Sequence, residues 1–100
     1  MTALTPNVTG HAGLDPLASR YVDIENLAWE ASNFPGVDFK TLLVDPESGI
    51  LTTLVRMAPG ATLPDHEHME IEQTYVLEGR LMDDDGEVTS GNFVWRDRVG

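Results

Sequence analysis

From Phe39 onward the sequence is cut into short apolar and β-branched runs by turn-forming residues, which leaves a helix almost no room. The interruptions are Asp45-Pro46-Glu47-Ser48-Gly49, Pro59-Gly60, Glu78-Gly79, Asp83-Asp84-Asp85-Gly86 and Ser90-Gly91. Between them lie candidate strands at residues 39–44 (FKTLLV), 50–57 (ILTTLVRM), 62–68, 72–77 (EQTYVL), 80–82, 87–89 and 92–96 (NFVWR). Pro46 presets φ for one reversal and Gly49 is free to take positive φ there. Asp85-Gly86 suits a primed hairpin turn. Strands this short, with turn signals about every 8–12 residues, predict an all-β barrel or sandwich. Ahead of them, residues 34–37 (FPGV) form a turn and residues 23–29 (DIENLAW) hold about one helical turn. Residues 1–20, rich in Thr, Ala, Gly and Pro, read as a flexible arm that is disordered or laid along a neighbouring surface. The expected organisation is an N-terminal arm at 1–20 and one β-barrel domain at 21–100.

Charge narrows the partners. Seventeen acids against six bases give a formal net charge of −11. A chain so acidic lacks the basic patch that nucleic-acid phosphates or anionic lipid surfaces require, so neither is expected as a partner. Residues 60–90 concentrate nine acids against the single base Arg80, either a solvated acidic surface or a negative field favouring a nearby cation. The absence of cysteine excludes disulfides, thiolate ligands and thiol nucleophiles. No signal peptide and no apolar run long enough to span a bilayer is visible, so a cytoplasmic location is expected.

Residues 60–79 (GATLPDHEHMEIEQTYVLEG) carry the chemistry. His66 and His68 are two apart, so on a strand they point to the same face. Glu72 keeps even parity with them, and a turn near residues 69–71 would bring it in from the adjoining strand. Two imidazoles and one carboxylate are a ready coordination shell for a divalent metal, with positions left open for water, substrate or O2. Read as isolated residues, they are equally two surface histidines and a solvated acid. The flanking Gly60 and Gly79 weigh against that, because five residues at fixed spacing rarely coincide by chance. Among secondary candidates, His11 lies in the arm as a solvated group or an extra ligand. Glu70 is a turn acid or a partner of the ligands, and Arg56 and Tyr75 read as buried-strand or surface residues ahead of substrate-facing ones. Leu42, Val55, Phe93 and Trp95 read as core. No residue outside the ligand set stands out as catalytic or cofactor-binding.

The spacing resembles the first signature of the cupins, G-x5-H-x-H-x3-E-x6-G, at every fixed position: Gly60, His66, His68, Glu72 and Gly79. The resemblance implies that His66, His68 and Glu72 are metal ligands. It also implies a double-stranded β-helix, the jelly-roll barrel. Trp29, Pro35-Gly36-Val37, Lys40-Thr41-Leu42-Leu43, Ala58-Pro59-Gly60 and Val76-Leu77-Glu78-Gly79 look like the ChrR-like branch, over about residues 21–100. That branch includes the cupin domain of ChrR-type anti-sigma factors and dioxygenases acting on β-diketones or hydroxyacetophenones. The second cupin signature, G-x5-P-x-G-x2-H-x3-N, begins at Gly91 and then departs. Asp97 stands at its proline and Val99 at its glycine, and its histidine, the fourth ligand, would fall past Gly100. The C-terminal part of the barrel is therefore expected to be incomplete, either cut short or lacking that ligand. Open edge strands would then favour a homodimer.

The resemblance implies a divalent cofactor, Fe2+ or Zn2+ ahead of Mn2+ or Ni2+. It implies a small-molecule partner and a metal-dependent dioxygenase acting on a small diketone or phenolic ketone. The alternative is a non-catalytic regulatory or ligand-sensing module. The resemblance implies a separate N-terminal segment with His and Cys zinc ligands in anti-sigma relatives, and the absence of cysteine from residues 1–20 counts against direct sigma binding.

Overall fold

A computed structural model describes residues 3–63 and 71–97. Among these residues, apart from one 3-10 turn at Ile24–Asn26, the regular structure is β, as the turn spacing requires. The strands are β1 (Glu30–Ala31), β2 (Val37–Asp45), β3 (Ile50–Met57), β4 (Glu72–Tyr75), β5 (Arg80–Asp83), β6 (Gly86–Thr89) and β7 (Phe93–Arg96). The chain divides into two units, Met1–Leu63 and Pro64–Gly100.

The first unit holds an antiparallel sheet in the order β1-β2-β3. Asp45 closes the β2–β3 hairpin with its own side chain. Its carboxylate accepts hydrogen bonds from the Glu47 amide (3.1 Å) and the Ser48 hydroxyl (2.7 Å), and its carbonyl accepts from the Gly49 amide (2.8 Å). Gly49 takes φ of 80°, the left-handed conformation that glycine adopts without a Cβ penalty. The register shifts between Thr41 and Leu43, making Leu42 a bulge residue whose backbone leaves the ladder. The Thr5 hydroxyl donates to the Leu42 carbonyl at 2.7 Å, and Leu4 exchanges two backbone hydrogen bonds of 2.8 Å with Val44. These two residues of the N-terminal stretch thus lie along the β2 edge opposite β3.

One face of this sheet is polar but anchored by an aromatic ring. Asp38, Lys40, Leu54 and Arg56 share that face by register. The Arg56 guanidinium stacks 4.2 Å from the centre of Trp29 and ion-pairs with Asp38 at 2.8 Å. Lys40 is buried; its ammonium lies 4.7 Å from the same ring and donates to the Ile24 carbonyl at 2.8 Å. Burial of a lysine is tolerable only with its charge met in this way.

The second unit holds two antiparallel pairs, β4-β7 and β5-β6. Residues in β4 and β7 alternate in exposure, so Glu72, Thr74, Val94 and Arg96 make the half-buried side. Gln73, Tyr75, Phe93 and Trp95 occupy the other side and are exposed. The expectation that Phe93, Trp95 and Val55 are core is therefore corrected, since Trp95 is 61% and Val55 46% exposed; Leu42 is half-buried. Among the described residues the buried apolar ones are instead Leu27, Val37, Val76 and Val88.

Several boundaries differ from the sequence reading; the strand expected at 39–44, for example, runs over Val37–Asp45. The expected strand at 72–77 stops at Tyr75. Thr62 and Leu63 are in no strand, and the rest of the expected strand at 62–68 lies outside the described residues. The two-residue strand β1 was not expected. The acidic hairpin also turns differently. Its loop is Asp84–Asp85, and neither has the positive φ of a primed turn, since Asn7 is the single non-glycine residue with positive φ among those described. The Asp83 carboxylate holds the turn instead, accepting from the amides of Asp85 (2.8 Å) and Gly86 (3.0 Å). Such side-chain capture offers the backbone an alternative to the primed geometry.

Candidate functional site

Of the three sequence-predicted ligands, Glu72 lies within the described residues; His66 and His68 lie outside them, as does Glu70. Glu72 opens β4 on its half-buried side and faces Arg96 across the ladder in register. The Arg96 Nε is 3.8 Å from Glu72 Oε1. The same guanidinium donates a charge-assisted hydrogen bond of 2.6 Å to Asp83 Oδ2. Asp83 thus does two things with one carboxylate. Oδ1 organises the β5–β6 turn, while Oδ2 fixes the arginine that reaches Glu72. A shallow groove lined by Leu81, Asp83, Val88, Val94 and Arg96 runs beside this trio.

The hydrogen bond from Arg96, followed by those from the Asp85 and Gly86 amides, holds the Asp83 carboxyl below its ordinary range. A carboxyl depressed by folding stabilises the fold above its unfolded pKa, and that contribution disappears as pH falls through the lower folded value. Asp83→Asn should therefore melt below the parent at neutral pH. The gap should narrow as pH drops below about 4, the ordinary aspartate range. Thermal melts of both proteins across pH 2–7 measure it; a gap that stays constant would mean that the ionised carboxylate is not its source.

Several secondary candidates take structural roles. His11 Nε2 is 3.0 Å from the Tyr21 carbonyl oxygen, and Arg56 is engaged by Asp38 and Trp29. Tyr75 projects to the side of β4 opposite Glu72. Sequence reasoning missed Arg96 and Asp83. Asp83 was legible as a turn residue, but its link to β7 depends on strand pairing that no local pattern encodes.

Among the described residues, no group of three His, Cys, Asp or Glu is placed to hold a metal ion. The expected donor set is His66, His68 and Glu72, of which Glu72 is described. The donor set fits a borderline divalent ion, because it offers two neutral nitrogens and one anionic oxygen and no thiolate. The half-buried position of Glu72 fits as well, since a ligand carboxylate needs restricted orientation and partners of its own. Among the described residues no helix is long and apolar enough to cross a membrane.

A family model described as the ChrR Cupin-like domain matches residues 17–98. No curated protein and no solved structure matches the chain.

Proposed function

The chain belongs to the ChrR Cupin-like domain family, with the cupin-type all-β fold, and from that premise we propose that it is a metal-dependent dioxygenase of a small diketone or phenolic ketone. The observation that carries the reading is the spacing of Gly60, His66, His68, Glu72 and Gly79 within the matched residues. In this reading His66 and His68 would supply two nitrogen donors, and Glu72 the anionic donor from β4. A divalent ion held there, Fe2+ or Zn2+ ahead of Mn2+ or Ni2+, would supply Lewis-acid polarisation of a substrate oxygen and a template for substrate and O2. Three protein ligands leave room for both. Cleavage of one carbon–carbon bond of the substrate would place both atoms of O2 in the products. The proposal includes a cytoplasmic homodimer acting on a small molecule, without nucleic acid or membrane partners.

The test is O2 uptake by the iron-loaded protein over a panel of β-diketones and hydroxyacetophenones. Uptake with at least one substrate, lost on chelation, is the expected result. A second reading, a regulatory or ligand-sensing module, is favoured by the ChrR type of the matched domain. Saturable binding of panel members without O2 uptake would select it.

A further inference from the structure

Strand β3 is eight residues long and stands at the end of the β1-β2-β3 sheet. Among the described residues no strand pairs with its outer edge. Such an edge directs backbone N–H and C=O groups outward, a template that another strand completes. The edge is also open to solvent. Thr52 and Thr53 are exposed, and Ile50, Leu51 and Val55 are 55%, 61% and 46% exposed. Natural sheets guard an edge of this kind with lysine, proline or a bulge. β3 holds neither lysine nor proline, and the bulge residue of this sheet, Leu42, lies on β2. The one charged residue of β3, Arg56, is drawn onto Trp29 and Asp38.

Charge selects the occupant. Two copies at −11 each repel, so a contact between them must form where acids are absent. β3 carries no acid, whereas β2 carries Asp38 and Asp45, β5 carries Asp83 and β6 carries Glu87. An antiparallel pair about a two-fold axis keeps like faces together when residues of equal parity meet. Centred on Thr53, that pairing sets Thr53 against its own copy, Leu51 against Val55 and Thr52 against Leu54. Ile50 then meets Arg56, so no charge opposes a charge. Threonine pairs and apolar β-branched pairs of this kind are the contacts that stabilise a sheet.

We propose that the outer edge of β3 pairs with β3 of a second copy of this chain, antiparallel and centred on Thr53, joining two three-stranded sheets into one. This rests on the homodimer of the proposed function, to which it gives a surface, and it does not involve the metal ligands.

The test uses the full chain. Because the chain has no cysteine, one introduced thiol reports one distance. Opposed Cα atoms in an antiparallel pair lie about 4.5–5.5 Å apart, within disulfide reach. Thr53→Cys should therefore give a covalent dimer under mild copper-phenanthroline oxidation, read on a non-reducing gel. Ile50→Cys is the control, because its copy would lie about 20 Å away along the paired strands. It should cross-link at least about tenfold more slowly. The double variant Leu51→Lys, Val55→Lys sets like charges against each other twice. It should raise the dimer dissociation constant about tenfold or more, measured by analytical ultracentrifugation. Should that variant fail to fold by circular dichroism, the two cysteine variants decide the matter. Equal cross-linking at both positions, or a folded lysine variant with the parent's dissociation constant, overturns the proposal. If the parent is a dimer in either case, the homodimer stands on another surface and this inference alone is removed. A parent that stays monomeric from micromolar to millimolar concentration removes both.

Discussion

Replacing His66 or His68 with alanine will reduce the divalent metal carried by purified protein to background. Each histidine is one of three proposed ligands, and the chain has no cysteine to substitute. Two remaining donors cannot enclose an ion against the competition of water. Loss of a partner that merely supports a ligand typically costs 10–100-fold in affinity, so loss of a ligand should exceed about 100-fold. Elemental analysis by mass spectrometry of parent and variants, purified side by side without chelator, measures the effect. Equal metal content in parent and both variants would remove the metal site and the oxygenase reading built on it. Unchanged melting curves of the metal-free proteins would show that the loss is of coordination and not of fold.

Gly36→Ala will lower the melting temperature by about 10 °C or more. Gly36 has φ of 77°, and a Cβ built on it would sit 3.1 Å from the Ala61 Cβ and 3.2 Å from the Ala58 Cβ. Those neighbours cannot retreat freely, because the Ala58 amide donates to the Gly36 carbonyl at 2.7 Å and the Ala61 amide donates to the Ala58 carbonyl at 2.9 Å. A left-handed conformation costs an alanine about 1–2 kcal/mol, and overpacking adds about 1–3 kcal/mol. The total is a large part of a typical margin of about 5–15 kcal/mol, and each kcal/mol is worth about 4–8 °C in a domain of this size. Gly49→Ala is the control. Its φ of 80° is similar, but nothing lies within 4 Å of the added Cβ. It should carry only the conformational penalty, so the difference between the two variants isolates the packing term. Equal destabilisation would mean that the Ala58–Ala61 turn yields without cost.

The hairpin of β2 and β3 was legible because its signals are local. Proline, serine and glycine after Asp45 set the reversal, and β-branched residues fill the returning strand, whose bounds at Ile50–Met57 match the sequence reading. The acidic hairpin was legible as a turn but not as a turn type, since Asp83 overrides the Asp-Gly preference by binding two amides itself. Strand β1 was missed because two residues carry no periodicity. The mistaken core assignment of Phe93 and Trp95 has the same root. Alternation fixes which residues share a face, but pairing decides which face is covered, and here Val94 and Arg96 take the half-buried side.

The sequence by itself determined the β class, the positions of the turns and the spacing of the proposed ligands. Each depends on conformational preferences within a few residues or on side-chain chemistry alone. It also placed the chain within its family, through motifs that local spacing preserves. Tertiary structure alone decided that Gly36 packs against Ala58 and Ala61, and that Trp29 lies beside Lys40 and Arg56. It alone decided that Asp83 and Arg96 meet beside Glu72. Those contacts join residues 13 or more apart in sequence, apart from the Trp29–Lys40 pair. They arise from strand register, a cooperative outcome of many weak pairings that no short segment specifies.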